Sequence, residues 1–214
     1  MKLALTWKER EVIDLNKSAS IDASLEKSLD DIVPDQRATA WGGNNKNVKK
    51  FKKVVMEHGL IEQGGRCVWC TLGVGVHSRR TPHRDHIAPK ALYSQWTFEV
   101  CNIAISCEYC NGFAVKSDLD TVCNTSRDYR EVEWLIVHPY FDNTNEHIRF
   151  CGEAESGEVV IKSLTERGKW TIEKLKLDDP GLTVERAKEK IFEGVLAKLP
   201  DDRKEQLLQA LGRR

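Results

Sequence analysis

The sequence predicts an α+β fold with a small cysteine-stapled core, a helical N-terminal extension and a mixed, mainly helical C-terminal extension. Three observations predict it. Two Cys-x-x-Cys pairs, Cys67–Cys70 and Cys107–Cys110, bracket a stretch dense in Cys, His and Gly and poor in long periodic runs. That is the character of a unit held by a bound ion rather than by a large apolar core. Apolar residues recur at helical spacing on both sides of this stretch. Short apolar runs after Cys123, beginning with VEWLIV at 132–137, have the length and composition of strands.

Taken in order, residues 20–33 set Ile21, Leu25, Leu29 and Ile32 on one helical face, ended by Pro34. Trp41-Gly42-Gly43-Asn44 reads as a loop, so residues 1–44 form an N-terminal helical appendage. Residues 47–60 predict a helix with Val48, Phe51, Val54 and Val55 on one side and lysines on the other; Gly64-Gly65 stops it. The core spans 45–122. The region 123–214 offers strands at 132–137, 148–151 and 159–162, then helices at 165–175 and 183–199. Thr183 is the expected N-cap of the second helix, and Val184, Ala187, Ile191, Val195, Leu196 and Leu199 its apolar stripe. A final helix follows Pro200, with Leu207, Leu208 and Leu211 on one face.

The 214 residues, 40% hydrophobic and 31% charged, suit one compact domain with appendages or two small domains. No apolar run reaches the length of a membrane span. The opening MKLAL is cut short by the charges at 8–11, which argues against export. Seven cysteines, an odd number with two tight pairs, argue against a secreted disulfide framework and for a reducing cytoplasm. Net charge is zero, yet residues 45–90 carry ten Lys/Arg against three acids. A basic block of this kind is the electrostatic footprint of phosphate-backbone binding; its plain alternative is a solvated lysine-rich helix face.

Two residues between thiols let one tight turn present both sulfurs to a tetrahedral ion, and two such turns complete a closed four-cysteine zinc site. Closed coordination leaves no position for water or substrate, so this Zn²⁺ is structural. The alternative is a redox pair in one knuckle, but no thioredoxin-like strand–helix context surrounds either. Cys101, Cys123 and Cys151 are left over and expected to be ordinary buried thiols. The 36 residues between the knuckles leave room for a hairpin that carries something further.

That insert holds Arg84-Asp85-His86-Ile87-Ala88-Pro89 and then Asn102; Asn111 follows the last knuckle cysteine, and Lys116 comes five residues later. The ordered set resembles the HNH endonuclease family: Cys-x-x-Cys, Asp-His-Ile-x-Pro, Asn, then Cys-x-x-Cys-Asn/His with a nearby Lys. The resemblance covers about a quarter of the chain and implies a ββα-metal finger, two short strands followed by a helix. It implies that His86 is the general base, suited by an unperturbed pKa near working pH. It further implies that Asp85 and Asn111 hold a catalytic Mg²⁺ or Mn²⁺, and that Asn102 orients the base. Lys116, Arg84 and Lys90 are the expected phosphate contacts. Asn111 stands where the family name has His, as in variants similar to phage Holliday-junction resolvases, and an amide oxygen favours hard ions. Each residue also has a plainer reading: His86 as a satisfied buried histidine, Asp85 as a turn cap, Asn111 as a helix cap. His83 is a rival base or ligand outside the pattern, and His58 and His77 have no motif support.

A looser resemblance joins His138-Pro-Tyr-Phe-Asp-Asn143, Glu146-His147-Ile148 and the stretch 168–177 to HNH subunits of Septu-type and retron-linked phage-defence systems. This implies antiviral defence and an ATPase subunit as partner. His138 and His147 read either as metal ligands or as supports of a turn between strands. Three functions compete: a DNA endonuclease, a non-catalytic zinc-stabilised nucleic-acid-binding module, and a structural zinc domain of a protein complex. An acid beside a histidine repels an approaching phosphate unless a metal intervenes, which favours the enzyme. Oligomeric state is not legible.

Overall fold

A computed structural model describes residues 14–76, 78–151 and 159–210. The export reading at 1–5, His77 and Leu211 lie outside the described residues. The chain is mixed α+β, with three separate two-stranded antiparallel sheets among the described residues.

Helix α1 (Ala23–Asp30) starts where the Asp22 carboxylate accepts the Leu25 N–H, and it buries Leu25 and Leu29 as the spacing predicts. A turn opened by Pro34 leads into a short helix α2 (Arg37–Gly42). Trp41 and Gly42 are therefore helical, not loop, because the fixed φ of Pro34 starts a helical turn that the next residues continue. Helix α3 (Lys46–Glu62) is capped by Asn45, and Gly64 and Gly65, at φ 59 and 69, supply the left-handed backbone that ends it. Gly59 lets α3 approach the sheet: a Cβ there would lie 2.5 Å from Ile105 Cγ1. Buried Gln63 fastens the same junction, donating to the carbonyls of Arg66 and Ile105 and accepting the Ile105 N–H.

Strands β1 (Pro82–His86) and β2 (Ile103–Cys107) form the central hairpin, in a register that sets Asp85 opposite Ala104 and His86 opposite Ile103. Strands β3 (Val122–Asn124) and β4 (Glu133–Trp134) pair next, with a bulge. Only two residues of 132–137 become strand, although Val132, Trp134, Ile136 and Val137 are all buried. β5 (Ile148–Cys151) and β6 (Val160–Ser163) make the third hairpin. Helix α4 (Glu166–Lys174) follows, with Thr165 as N-cap, then α5 (Pro180–Lys198) and α6 (Asp201–Ala210).

The expected appendages are built into the core. α1, α3, Phe98 and Ile103 of β2 share one apolar cluster, with Trp41 packed against it. A second, larger cluster joins the four knuckle cysteines to Tyr129, Trp134, Ile148, Phe150, Ile172 and Leu182. Two expectations for α5 fail. Its N-cap is Asp179, whose carboxylate accepts the N–H groups of Gly181 and Leu182, with Pro180 in the first turn. Its predicted stripe is largely exposed, at Val184 51%, Ile191 67% and Val195 52%. The docked side uses Leu182, Arg186 and Leu196 together with acids: Glu189 and Glu193 pair with Arg66, and Glu185 and Glu189 with Arg80.

Candidate metal centre and active site

Cys67, Cys70, Cys107 and Cys110 are all buried as free thiols, and their sulfurs lie within 4.8 Å of one another. The Thr71 backbone takes the left-handed conformation, φ 63, that folds the first knuckle back so that the Cys67 N–H reaches the Leu72 carbonyl. The sulfurs crowd one another's protons. Hydrogen bonds from Cys110, Cys67 and Cys70 hold the Cys107 thiol far below its usual range. Burial pushes Cys67 up, and the hydrogen bond to Cys107 pushes Cys110 up. Four buried, converging soft donors fit a structural metal such as zinc. Of the other cysteines, Cys101 is buried as expected, Cys151 is partly exposed, and Cys123 is exposed on β3.

The end of β1 carries the candidate chemistry. Asp85 is buried; its Oδ2 accepts the Trp69 indole N–H at 2.6 Å and its Oδ1 accepts the Lys116 ammonium at 2.8 Å. Lys116 also donates to the His86 carbonyl. Lys116 and Asp85 are each 1% exposed. Lys116 therefore stands beneath the site as the partner of Asp85, and the expectation that it contacts phosphate is corrected. Its chain segment explains the placement. Residues 108–118 form consecutive turns rather than the helix the resemblance implied, and their backbone bonds, such as Lys116 N to Cys110 O, bring Lys116 back under the knuckle.

His86 is buried, with Nε2 donating to the Thr97 carbonyl at 3.1 Å, so the neutral ring carries its proton there and leaves Nδ1 as the acceptor. Its pKa is pushed down to about 3, first by burial, then by the nearby Lys90. Trp41 of α2 stands edge-on against the ring, centroids 4.4 Å apart. Asn102 is fully buried and does not face the cavity. Its Nδ2 donates to the carbonyls of Ala88 and Trp96, and its Oδ1 accepts the Ala88 N–H and the Tyr129 hydroxyl. It thus pins the loop that presents the Thr97 carbonyl to His86. Behind it, buried His138 accepts the Tyr140 N–H on Nδ1 and faces the Tyr129 hydroxyl with Nε2. His138 and His147, which bonds Thr165 and Arg167, support local structure and join no metal cluster among the described residues. His58 meets the Lys17 carbonyl.

A cavity of about 310 Å³ gathers Asp85, His86 and Asn111 with Trp41, Lys52, His83, Arg84, Lys90 and Asp118. A second hollow of about 330 Å³ runs along α3 between Lys49, Lys52, Lys53 and Arg84, sharing Lys52 and Arg84 with the first. Burial, followed by repulsion from Arg84, Lys49 and Lys90, holds the Lys52 pKa below its ordinary value; burial lowers that of Arg84. Neither Lys52 nor Arg84 has an acidic partner among the described residues. Asn111 meets His83 Nδ1 through its amide nitrogen at 3.3 Å, leaving its oxygen without a hydrogen bond among the described residues. Each Asp85 oxygen keeps a lone pair beyond the bond it accepts. One carboxylate and one amide oxygen on a single cavity are donors of the kind a hard divalent ion takes. Among the described residues the four thiols are the only group of three or more His, Cys, Asp or Glu poised to share an ion.

Sequence reasoning missed Trp41, Lys52, Thr97 and Tyr129. Thr97 acts through its backbone and has no side-chain signal; Trp41 and Lys52 belong to the site only because α2 and α3 pack against the hairpin. The fold and the cysteine cluster define a mixed α+β protein with a buried four-thiol cluster that fits a structural metal. No family model and no curated protein matches the chain. Among the described residues, no helix is long and apolar enough to cross a membrane.

Proposed function

We propose that the protein is a metal-dependent endonuclease of the HNH type that hydrolyses phosphodiester bonds in DNA. The observation that carries this reading is the meeting of His86, Asp85 and Asn111 on one cavity lined by Lys52, Arg84 and Lys90. The cations hold the phosphodiester by its non-bridging oxygens, and the crowding of Lys52 and Arg84, neither in an ion pair among the described residues, favours a polyanion. His86 Nδ1 takes a proton from water as the water oxygen bonds phosphorus and the P–O bond to the leaving oxygen breaks. The Thr97 carbonyl fixes the tautomer, Trp41 the ring plane, and Asn102 the loop that holds Thr97. Asp85 and Asn111 would hold Mg²⁺ or Mn²⁺, which when bound supplies positive charge against the developing phosphorane and leaving group. A phosphate beside His86 raises its pKa from the depressed value of the free chain, improving it as a base. The motif likenesses at 138–148 and 168–177 extend the proposal to bacterial phage defence or DNA restriction, with an ATPase subunit as partner and the cytoplasm as its place.

One observation favours the second reading, a zinc-stabilised nucleic-acid-binding module: Lys116 already neutralises Asp85. Cleavage of supercoiled plasmid by wild type and His86→Ala in Mg²⁺, Mn²⁺ or EDTA separates the two. Metal-dependent nicking that vanishes in the variant is the expected result. Cleavage at the wild-type rate by His86→Ala moves the base elsewhere, with His83 next; DNA binding without cleavage under any metal supports the module.

A further inference from the structure

We propose that Lys116 and a divalent cation compete for Asp85, so that loading the cavity with metal draws the Lys116 ammonium off the carboxylate. The inference rests on the reading of Asp85 as an ion-binding residue. The buried pair is electrically complete: the ammonium lies 2.8 Å from Oδ1, and both side chains are 1% exposed. A dication taking a remaining lone pair of Asp85 would sit a few ångströms from that ammonium, in a poorly polarisable interior where like charges repel strongly. Asp85 has a second anchor, and Lys116 has a second acceptor in the His86 carbonyl. The Trp69 indole holds Oδ2 at 2.6 Å, so the carboxylate keeps its orientation when the lysine leaves. Lys116 is a flexible four-carbon stem, and the next two residues, Ser117 and Asp118, line the cavity where phosphate would bind. Ser117 sits in the left-handed region, φ 40, so the chain turns sharply at the point that separates the buried lysine from the cavity rim.

A simple supporting role predicts the opposite sign. If Lys116 only held Asp85 in place, removing it would weaken metal binding; if it competes, removing it strengthens binding. The test is Mn²⁺ titration of the zinc-loaded full chain, read by the electron paramagnetic resonance signal of free Mn²⁺, for wild type, Lys116→Met, Lys116→Gln and Asp85→Asn. The expected result is at least tenfold tighter Mn²⁺ binding in a Lys116 variant and loss of binding in Asp85→Asn. Equal or weaker binding in the Lys116 variants, with Asp85→Asn still impaired, overturns competition and leaves the ion assignment standing. No Mn²⁺ binding by wild type or any Lys116 variant, or undiminished binding by Asp85→Asn, overturns both. Should neither Lys116 variant melt cooperatively, the wild type decides. The Lys116 ammonium, the one fully buried lysine head among the described residues, is followed by its ¹⁵Nζ resonance. A shift with faster proton exchange on adding Mg²⁺ supports displacement; an unchanged resonance at saturating Mg²⁺ refutes it.

Discussion

Asn102→Ala is the sharpest probe of how the site is held. The side chain is fully buried and makes four hydrogen bonds. Two of its partners keep another: the Tyr129 hydroxyl retains His138, and the Trp96 carbonyl retains the Glu99 N–H. The N–H and C=O of Ala88 lose the only partners they have among the described residues, at 2.7 and 3.2 Å. A buried backbone group left unpaired costs about 1–3 kcal/mol, so two cost about 4 kcal/mol. Urea denaturation of the zinc-loaded chain, followed by tryptophan fluorescence, should show the midpoint fall by about 1–2 M at unchanged slope. Cleavage should lose kcat more than KM, because the loop positioning Thr97, and through it His86, loosens. Asn102→Asp should be worse, since it sets carboxylate oxygen against the two carbonyls that the amide served. A midpoint within about 0.3 M of wild type for Asn102→Ala would refute the bridging role.

Cys107→Ser should lose zinc, measured by metal release to a chromophoric chelator, and lower the melting temperature sharply; full zinc content with unchanged melting would defeat the four-thiol site. Lys52→Gln and Arg84→Gln should each weaken DNA binding and lower the slope of log K against log salt by about one; an unchanged slope removes that residue from the backbone track. For pH, burial depresses both His86, to about 3, and His138, well below its ordinary value. The unfolded chain then binds protons that the native one refuses, so stability is full above the ordinary histidine pKa and falls as pH drops below about 6.5. The slope approaches about 1.4 kcal/mol per pH unit for each histidine, checked by urea melts at pH 7 and pH 5; equal stability at the two would contradict their neutral burial.

What the sequence made legible divides by range. The cysteine knuckles were readable because two residues between thiols is a local constraint that no distant contact alters. α3 and β5 were readable because their apolar period is set within one segment. The stripe on α5 was misread for the complementary reason. Its sequence offers an apolar line through Val184, Ile191 and Val195 and an acidic line through Glu185, Glu189 and Glu193. Arg66 and Arg80, more than a hundred residues away, pair with the acidic line and turn it inward beside buried Leu182, Arg186 and Leu196. Lys116 was misplaced likewise: its number says it follows a knuckle, but its burial depends on turns at 108–118 that a helix would not have made. The order Asp85, His86, Asn102 and Asn111 did bring out residues that converge, although Asn102 serves from behind.

The buried polar residues bear on the choice between enzyme and binding module. Asp85, Lys116, Asn102, Tyr129 and His138 are all buried and hydrogen-bonded to one another or to the loop around His86. Apolar residues of similar volume would serve stability as well, since a buried ion pair returns little net free energy after desolvation. A module that only grips a phosphate backbone needs its cations exposed along α3 and has no use for an acid locked under a histidine. The Thr97 carbonyl fixes the His86 proton on Nε2 and leaves Nδ1 as the acceptor, as the buried His138 is also fixed by its partners. What separates His86 from His138 is its place on a cavity shared with Asp85, Asn111 and three cationic side chains, and that meeting is the physical ground for preferring hydrolysis to binding alone.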